Sequence, residues 1–202
     1  MDKSNVFKLE LAQIKNTELR NAIIGYFENV VPGYFWTMPA SSTGKYHPDQ
    51  DSGEGGLVRH SRMVTQVAIS LMQLEMWSAL KSYEDDIYAA CLIHDTWKLG
   101  DMVTEYEQGK TYSVHDHPLF ASHKFYGFVQ TWPNASDELK KHCQTICQCV
   151  ETHMGQWNKP KFPGAGQVLK KPESAIQKFV HLCDYIASRN FIGNLDKIDG
   201  KI

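Results

Sequence analysis

The chain has 202 residues, of which 42% are hydrophobic and 22% are charged, and its formal net charge is −2 at pH 7. This composition is typical of a soluble globular protein, and the length favours a single domain over residues 1–202. The slight negative charge excludes a broad attraction to nucleic acid, so an extended duplex is not an expected partner.

Neither a membrane span nor a leader is predicted. No apolar run approaches the roughly 20 residues that cross a bilayer, so a membrane is not an expected partner. The charged start of the chain lacks the apolar segment of a signal peptide. Five cysteines, an odd number, are typical of reduced thiols. We therefore predict a cytoplasmic protein.

Hydrophobic spacing predicts an all-α protein. The first helix is predicted at residues 16–31, with Leu19, Ile23 and Phe27 on one face, and Pro32 and Gly33 end it. A loop at 33–56 follows, rich in Gly, Pro, Ser and Asp. Long loops inside compact domains are often functional. Further helices are predicted at about 57–81, 83–98, 117–131, 136–153 and 173–192. The expected fold is a compact bundle of about six or more helices.

Several of these helices carry a polar residue on their apolar face. In the second predicted helix, the face of His60 also bears Val64, Val67, Ala68 and Leu71. His153 shares a face with Ile146, Cys149 and Val150, and Asp184 shares one with Ile176, Val180 and Ala187. A single inward histidine is more often a hydrogen-bonded core residue than a metal ligand.

The strongest signal is the pair His94–Asp95 inside the apolar run IYAACLIHDTW. A buried carboxylate costs several kcal/mol unless it is paired or bound to metal. One metal centre would satisfy this pair and the other inward residues together. A set of nitrogen and oxygen donors suits Mn, Fe, Co, Ni or Zn. The clustered Cys143, Cys147 and Cys149 match no paired CxxC spacing and are predicted to be core thiols.

Five segments, in order, resemble the HD-domain superfamily of metal-dependent phosphohydrolases. GGLVRHS is similar to the first-histidine helix start, LIHDTWKLG to the "LHDxGK" segment, and VHLCDYIASR to the final "ADxxxSR" helix. HPLFASH resembles the "HPxxGA" start of two-metal members, and VETHMGQW the segment that supplies a further histidine. The resemblance covers about residues 55–190 and implies an HD-type helical bundle on which the helix at 16–31 packs.

The resemblance also implies a ligand set of one or two divalent ions. One ion would be held by His60, His94, Asp95 and Asp184. A second would be held by His117 and His153, with Asp95 bridging the two. His115 and His123 flank His117 and stay open as alternative ligands.

Two residues after the pair depart from the family pattern. Thr96 and Trp97 stand where small or apolar residues are usual, and the bulk of Trp97 is expected to narrow the site. Lys98, which follows His94 by four residues, is expected to lie on its helical face. The resemblance implies that it contacts phosphate. Asp95 and Lys98 are therefore the predicted catalytic residues.

The implied activity is hydrolysis of a phosphate ester by metal-activated water. A nucleotide or short oligonucleotide is the expected substrate, since Trp157 could stack a base beside cations of the irregular loops. The predicted substrate contacts are Lys98, Lys45, Trp157 and Arg189. No GYP segment follows His153, which argues against a cyclic-dinucleotide hydrolase.

Two other functions stay open. HD-domain di-iron oxygenases, which act on small organic substrates, use nearly the same six ligands, and sequence spacing does not separate them from hydrolases. A binding module whose metals only connect the helices is the third hypothesis. A homo-oligomer is compatible with the sequence.

Overall fold

The computed structural model describes residues 3–41, 51–102 and 113–189. Over these ranges the protein has seven α-helices and no strand, which confirms the all-α prediction. In chain order they are α1 (Lys8–Leu11), α2 (Thr17–Asn29), α3 (Gly56–Leu71), α4 (Glu84–Ile93), α5 (His117–Gln130), α6 (Asp137–Thr152) and α7 (Ala175–Ala187). None of the helices in these ranges is long and apolar enough to cross a membrane.

Side-chain caps determine where three of the helices begin. The carbonyl oxygen of the Asn16 side chain accepts a hydrogen bond from the Leu19 N–H at the start of α2. Ser136 caps α6 in the same way, and Ser174 forms a reciprocal capping box with Gln177 at the start of α7. These caps satisfy N–H groups that lack partners inside the helix.

Four helices, α3, α4, α6 and α7, form the bundle. Helix α4 lies against the other three, and all ten of its residues except Asp85 are buried. Helix α5 packs along α6, and α2 contacts both of them. Helix α4 is therefore the central helix of the bundle, and its C-terminal end lies next to the neighbouring helices.

Two predicted helices end earlier than expected. The helix predicted at 57–81 ends at Leu71, and a 3₁₀ segment at Glu75–Tyr83 follows an extended Leu74. This break redirects the chain so that Trp77 packs edge-on against Phe179 of α7, with 4.8 Å between ring centroids. The helix predicted at 83–98 ends at Ile93 and continues as turns.

The remaining boundaries need smaller corrections. Helices α2, α5 and α6 lie within about two residues of their predicted ends, whereas α7 stops at Ala187 instead of 192. In the predicted loop at 33–56, Gly33–Trp36 forms a 3₁₀ turn. Residues 42–50, which include the predicted substrate contact Lys45, lie outside the described ranges.

Candidate metal centre

Six polar side chains from five helices converge at one end of the bundle. His60 lies in α3, His94 caps the end of α4 with Asp95 next to it, and His117 begins α5. His153 caps the end of α6, and Asp184 lies in α7. The four histidines and Asp95 are each at most 2% exposed. The structure thus brings together all six residues of the predicted ligand set.

The helix ends contribute to the electrostatics of this cluster. Both α4 and α6 terminate there, because His94 and His153 are their C-terminal caps. The C-terminal end of a helix carries a partial negative charge and favours a nearby cation. Two such ends pointing at one buried site make it a favourable place for a positive ion.

The first group of donors consists of His60, His94 and Asp184. His60 Nε2 lies 3.0 Å from Asp184 Oδ1 and 3.4 Å from His94 Nε2. The distance from His94 Nε2 to Asp184 Oδ1 is 3.8 Å. These three atoms are close enough together to bind one metal ion.

The second group lies on the other side of Asp95. His117 Nε2 is 3.0 Å from Asp95 Oδ1 and 3.2 Å from His153 Nε2. The other carboxylate oxygen, Oδ2, lies 3.5 Å from His94 Nε2 and 3.9 Å from His60 Nε2. The two oxygens of Asp95 therefore face two different groups, which is the arrangement that a bridging carboxylate requires.

Backbone contacts determine which ring nitrogens are available. The Nδ1 atoms of His94, His117 and His153 lie 2.7–2.8 Å from the carbonyl oxygens of Cys91, Val114 and Val150. A carbonyl oxygen can only accept, so each Nδ1 carries the proton and donates. In the neutral ring Nε2 then has a lone pair, which is the form that binds metal.

A cation would make this arrangement more favourable. In the tautomers with the proton on Nδ1, His117 and His153 direct Nε2 lone pairs toward each other across 3.2 Å. Asp95 Oδ1 is buried beside them and makes no hydrogen bond to the described residues. Two ligand nitrogens about 2.1 Å from a metal would lie roughly 3.0–3.4 Å apart for bond angles of about 90–110°. The residues present fit a divalent ion.

The charges of the acidic ligands are fixed by their neighbours. Burial would raise the pKa of the Asp95 carboxyl, but the Lys98 ammonium and His94 outweigh it and hold this pKa well below its usual range. Burial likewise opposes ionisation of Asp184, and its hydrogen bond with His60 and the nearby His94 keep its pKa low. Both carboxylates are therefore ionised at neutral pH.

His117 is held in its neutral form. Burial and the nearby Lys98 ammonium lower its pKa to about 4, although the adjacent Asp95 acts in the opposite direction. A histidine with this pKa is uncharged at pH 7 and can offer a lone pair to a metal.

A pocket of about 630 Å³ opens over the cluster. His60, His153 and Asp184 of the converging cluster line one side of it. Four cationic side chains also line it: Lys98, Lys159, Lys161 and Arg189. The remaining lining residues are His115, Met154, Gln156, Trp157 and Ser188.

The predicted substrate contacts occupy different parts of this pocket. Lys98 donates a hydrogen bond to Asp95 Oδ2 at 2.7 Å, so it lies next to the candidate metal ligands. Trp157 is 42% exposed and stacks on Tyr185, with 5.7 Å between centroids and 15° between planes. Arg189 covers the Tyr185 ring, with Cζ 3.9 Å from its centroid.

His115 and His123, the two alternative ligands, have surroundings that differ from those of His117. His115 lines the pocket, but its Nε2 lies 3.3 Å from the Asn158 carbonyl oxygen. His123 is exposed on α5. Of the three histidines, the structure places His117 with its Nε2 beside Asp95.

The expectation that Trp97 narrows the site is wrong. Trp97 does not line the pocket; it is 8% exposed and belongs to the hydrophobic core. Its indole N–H donates to the Tyr26 hydroxyl at 3.0 Å, and this hydroxyl lies 3.1 Å from Thr96 Oγ1. Tyr34 contacts the same segment, because its hydroxyl donates to the Gly100 carbonyl oxygen at 2.9 Å. Neither tyrosine was singled out from the sequence.

Gly155 and His181 form a second feature that the sequence did not reveal. His181 Nδ1 donates to the carbonyl oxygen of the candidate ligand His153 at 2.7 Å. Gly155 has a positive φ of 53°, and a Cβ at this position would clash with the His181 ring. A glycine two residues after the predicted ligand His153 was the available signal, because glycine tolerates this conformation.

Comparison with known proteins agrees with this geometry. The profile of the HD domain family matches residues 57–189, which include all six converging side chains and most of the chain. No curated protein and no solved structure matches the chain.

Proposed function

The chain belongs to the HD-domain family, and from this premise we propose that it hydrolyses a phosphate ester of a nucleotide or short oligonucleotide with the help of a bound divalent metal. One observation carries the proposal. Ionised Asp95 faces two groups of inward-pointing histidines, and the pocket above it is lined by four cationic side chains. A metal cluster beneath a cationic pocket is suited to an anionic substrate.

The ligand set supports one or two ions. His60, His94, Asp95 and Asp184 would hold one, and His117 and His153 would hold the other with Asp95 between them. When bound, a divalent ion brings the pKa of a coordinated water toward neutrality and neutralises charge that develops on phosphate oxygens.

Lys98 has two roles in this proposal. Its ammonium group pairs with Asp95 Oδ2 at 2.7 Å and keeps this carboxylate ionised and oriented. The side chain is 14% exposed, and it lines the pocket. It can therefore also donate a hydrogen bond to a phosphate oxygen bound beside the metal ligands.

The aromatic wall supports a nucleotide as the substrate. Tyr185 and Arg189 hold the Trp157 ring in place, and Trp157 is 42% exposed. An exposed indole that is fixed in this way can stack a base, and base stacking tolerates every base. An uncharged organic substrate would leave the pocket cations without an anionic partner. The cations therefore favour an anionic substrate, as the proposed hydrolysis requires.

The test is a screen of phosphate esters with the protein reconstituted separately with Mn, Fe, Co, Ni and Zn. We expect turnover that requires metal and that is abolished by Asp95→Asn, because this change removes the ionised carboxylate between the two donor groups. Asp101→Asn is the matched control, since Asp101 is exposed and pairs with Lys124 outside the pocket.

Circular dichroism should show that both variants keep the helical fold. If no metal form of the wild-type protein hydrolyses any ester, the proposal is wrong. Oxygen consumption by the iron form with an organic substrate would then support the oxygenase.

A further inference from the structure

We infer that the substrate carries a second anionic group, apart from the scissile phosphate, and that Arg189 binds this group with Lys159 and Lys161 beside it. The substrate class is then a ligand with two separated phosphates, such as a nucleoside bisphosphate or a short oligonucleotide. The inference rests on the proposed function, because that function places the scissile phosphate at the metal ligands.

The lining of the pocket carries an excess of positive charge. Lys98, Lys159, Lys161 and Arg189 line it, whereas Asp184 is the only carboxylate among its described lining residues. Even with Asp95 included, the cationic side chains outnumber the acidic ones before any divalent ion is added. The chain as a whole has a net charge of −2, so this excess of positive charge is local. The excess is two positive charges, four cationic against two acidic side chains. One bound divalent ion would raise it to about four, which a single phosphate of about −2 does not compensate.

The guanidinium of Arg189 stacks on an aromatic ring, and its Nε has no protein partner in the described part of the chain. Its Nε is buried and has no hydrogen-bond partner among the described residues. Its guanidinium stacks over the Tyr185 ring, with Cζ 3.9 Å from the centroid, and lies 5.5 Å from the centroid of Trp157. Stacking leaves the outer edge of the guanidinium, where the Nη donors point, free to bind an anion in bidentate fashion.

Arg189 also makes no ion pair with the candidate metal ligands. It follows Asp184 by five residues, and α7 ends two residues before it, at Ala187. Its guanidinium forms no ion pair with a carboxylate in the described part of the chain. Lys98, in contrast, is paired with Asp95. The charge of Arg189 is therefore available to a ligand anion, whereas that of Lys98 is already partly compensated.

The loop that carries the two lysines is held in place. Asn158, which is 5% exposed, donates from Nδ2 to the Leu169 carbonyl oxygen at 2.8 Å and accepts from the Leu169 N–H at 2.9 Å. The Gln167 N–H donates to Asp116 Oδ1 at 3.0 Å, which ties the loop to the start of α5. Lys159 and Lys161 thus lie on a segment that is fixed at the edge of the pocket.

The test compares two ligands with the same nucleoside, a 5′-monophosphate and a 3′,5′-bisphosphate, by calorimetric titration of the metal-loaded protein. A charge-assisted hydrogen bond changes affinity by roughly 10- to 100-fold. We therefore expect the bisphosphate to bind at least about tenfold more tightly than the monophosphate. Arg189→Gln should remove most of this difference, and Arg189→Lys should restore part of it, since the charge returns without the bidentate geometry.

Lys170→Gln is the matched control, because Lys170 is an exposed cation on the same loop and does not line the pocket. The Lys170→Gln variant should keep the full preference for the bisphosphate over the monophosphate. The inference is overturned if the wild-type protein binds both ligands equally or binds neither, or if Arg189→Gln weakens both by the same factor.

Calorimetry separates this inference from the proposed function, because binding needs no turnover. Preferential binding of the bisphosphate without hydrolysis of any ester would refute the function and support the anion subsite. Hydrolysis without any preference for a second phosphate would refute the subsite and support the function.

Discussion

At the residue scale, the two unusual residues after the HD pair form a buried hydrogen-bond chain. Thr96 Oγ1 donates to the Ile93 carbonyl oxygen at 2.8 Å, so it can only accept from the Tyr26 hydroxyl. That hydroxyl in turn accepts from the Trp97 indole. The chain ties the segment next to Asp95 to helix α2, which explains why a bulky, polar-tipped residue is suited to position 97.

We predict that Tyr26→Phe destabilises the fold by about 1–3 kcal/mol, because it leaves the buried Trp97 N–H without a partner. It should also weaken metal binding, since Thr96 and Trp97 directly follow Asp95. Denaturant unfolding and metal titration measure the two effects. Tyr88→Phe is the control: Tyr88 is 3% exposed, but its hydroxyl makes no hydrogen bond to the described residues.

Trp97→Phe completes the test. If the hydrogen-bond chain is the cause, the double variant Tyr26→Phe/Trp97→Phe should cost less than the sum of the single changes. Additive costs, or a loss from Tyr88→Phe as large as that from Tyr26→Phe, would contradict this explanation.

At the scale of elements, two helical glycines have opposite surroundings. A Cβ at Gly25 in α2 would lie 2.5 and 2.8 Å from ring carbons of Trp132, just beyond α5. A Cβ at Gly127 in α5 would meet nothing within 4 Å. Gly25 therefore permits α2 to approach the end of α5 closely, whereas Gly127 only weakens its own helix.

Gly25→Ala should destabilise the protein by about 1–3 kcal/mol, because Trp132 must shift and lose packing against Phe128. Gly127→Ala should stabilise it by about 0.5–1 kcal/mol through helix propensity. Thermal or urea unfolding of both variants measures the difference. If both substitutions change the free energy of unfolding in the same direction, the close contact between α2 and Trp132 has no energetic importance.

The elements also show which parts of the fold follow from the sequence. Apolar spacing predicts α2, α5 and α6 well, since their buried faces and punctuating residues are local signals. The ends of α3 and α4 were wrong, because tertiary contacts determine them: Trp77 packs on Phe179 after the break in α3. Spacing alone does not show where such a distant partner lies.

At the scale of the whole molecule, the converging side chains could be predicted from the sequence. The residues that hold them in position could not. Inward-facing histidines and the HD pair are visible as polar residues on apolar faces. The roles of Tyr26, Tyr34 and His181 depend on contacts between distant segments, for example the 2.9 Å bond from Tyr34 to Gly100. Arg189 was predicted as a substrate contact, but no spacing rule selects Tyr185, the ring on which it stacks.

Removal of metal should lower the stability of the whole bundle, because an ion bound only to the folded state stabilises it by mass action. At a free ion concentration about 100 times the dissociation constant the gain is about 2.7 kcal/mol. For a domain of this size that corresponds to a change in Tm of roughly 5–10 °C. Thermal melts with a chelator, and then with added metal, measure it.

Two variants provide controls for the chelator experiment. Asp95→Asn should make the Tm insensitive to the chelator, since it removes the carboxylate shared by both donor groups. His123→Asn should behave like the wild type, because His123 is exposed and lies outside the donor groups. A wild-type Tm that is unchanged by the chelator would contradict a metal centre that contributes to stability.

The candidate metal donors come from distant parts of the sequence, and this has a consequence for the kinetics of folding and unfolding. His60 and Asp184 are 124 residues apart in the chain, yet their side chains lie 3.0 Å from each other. Such distant donors meet only after the bundle has largely assembled, so an ion held there cannot nucleate folding. Such an ion slows unfolding instead. Its main effect is to lengthen the lifetime of the folded protein, and it changes the folding rate little.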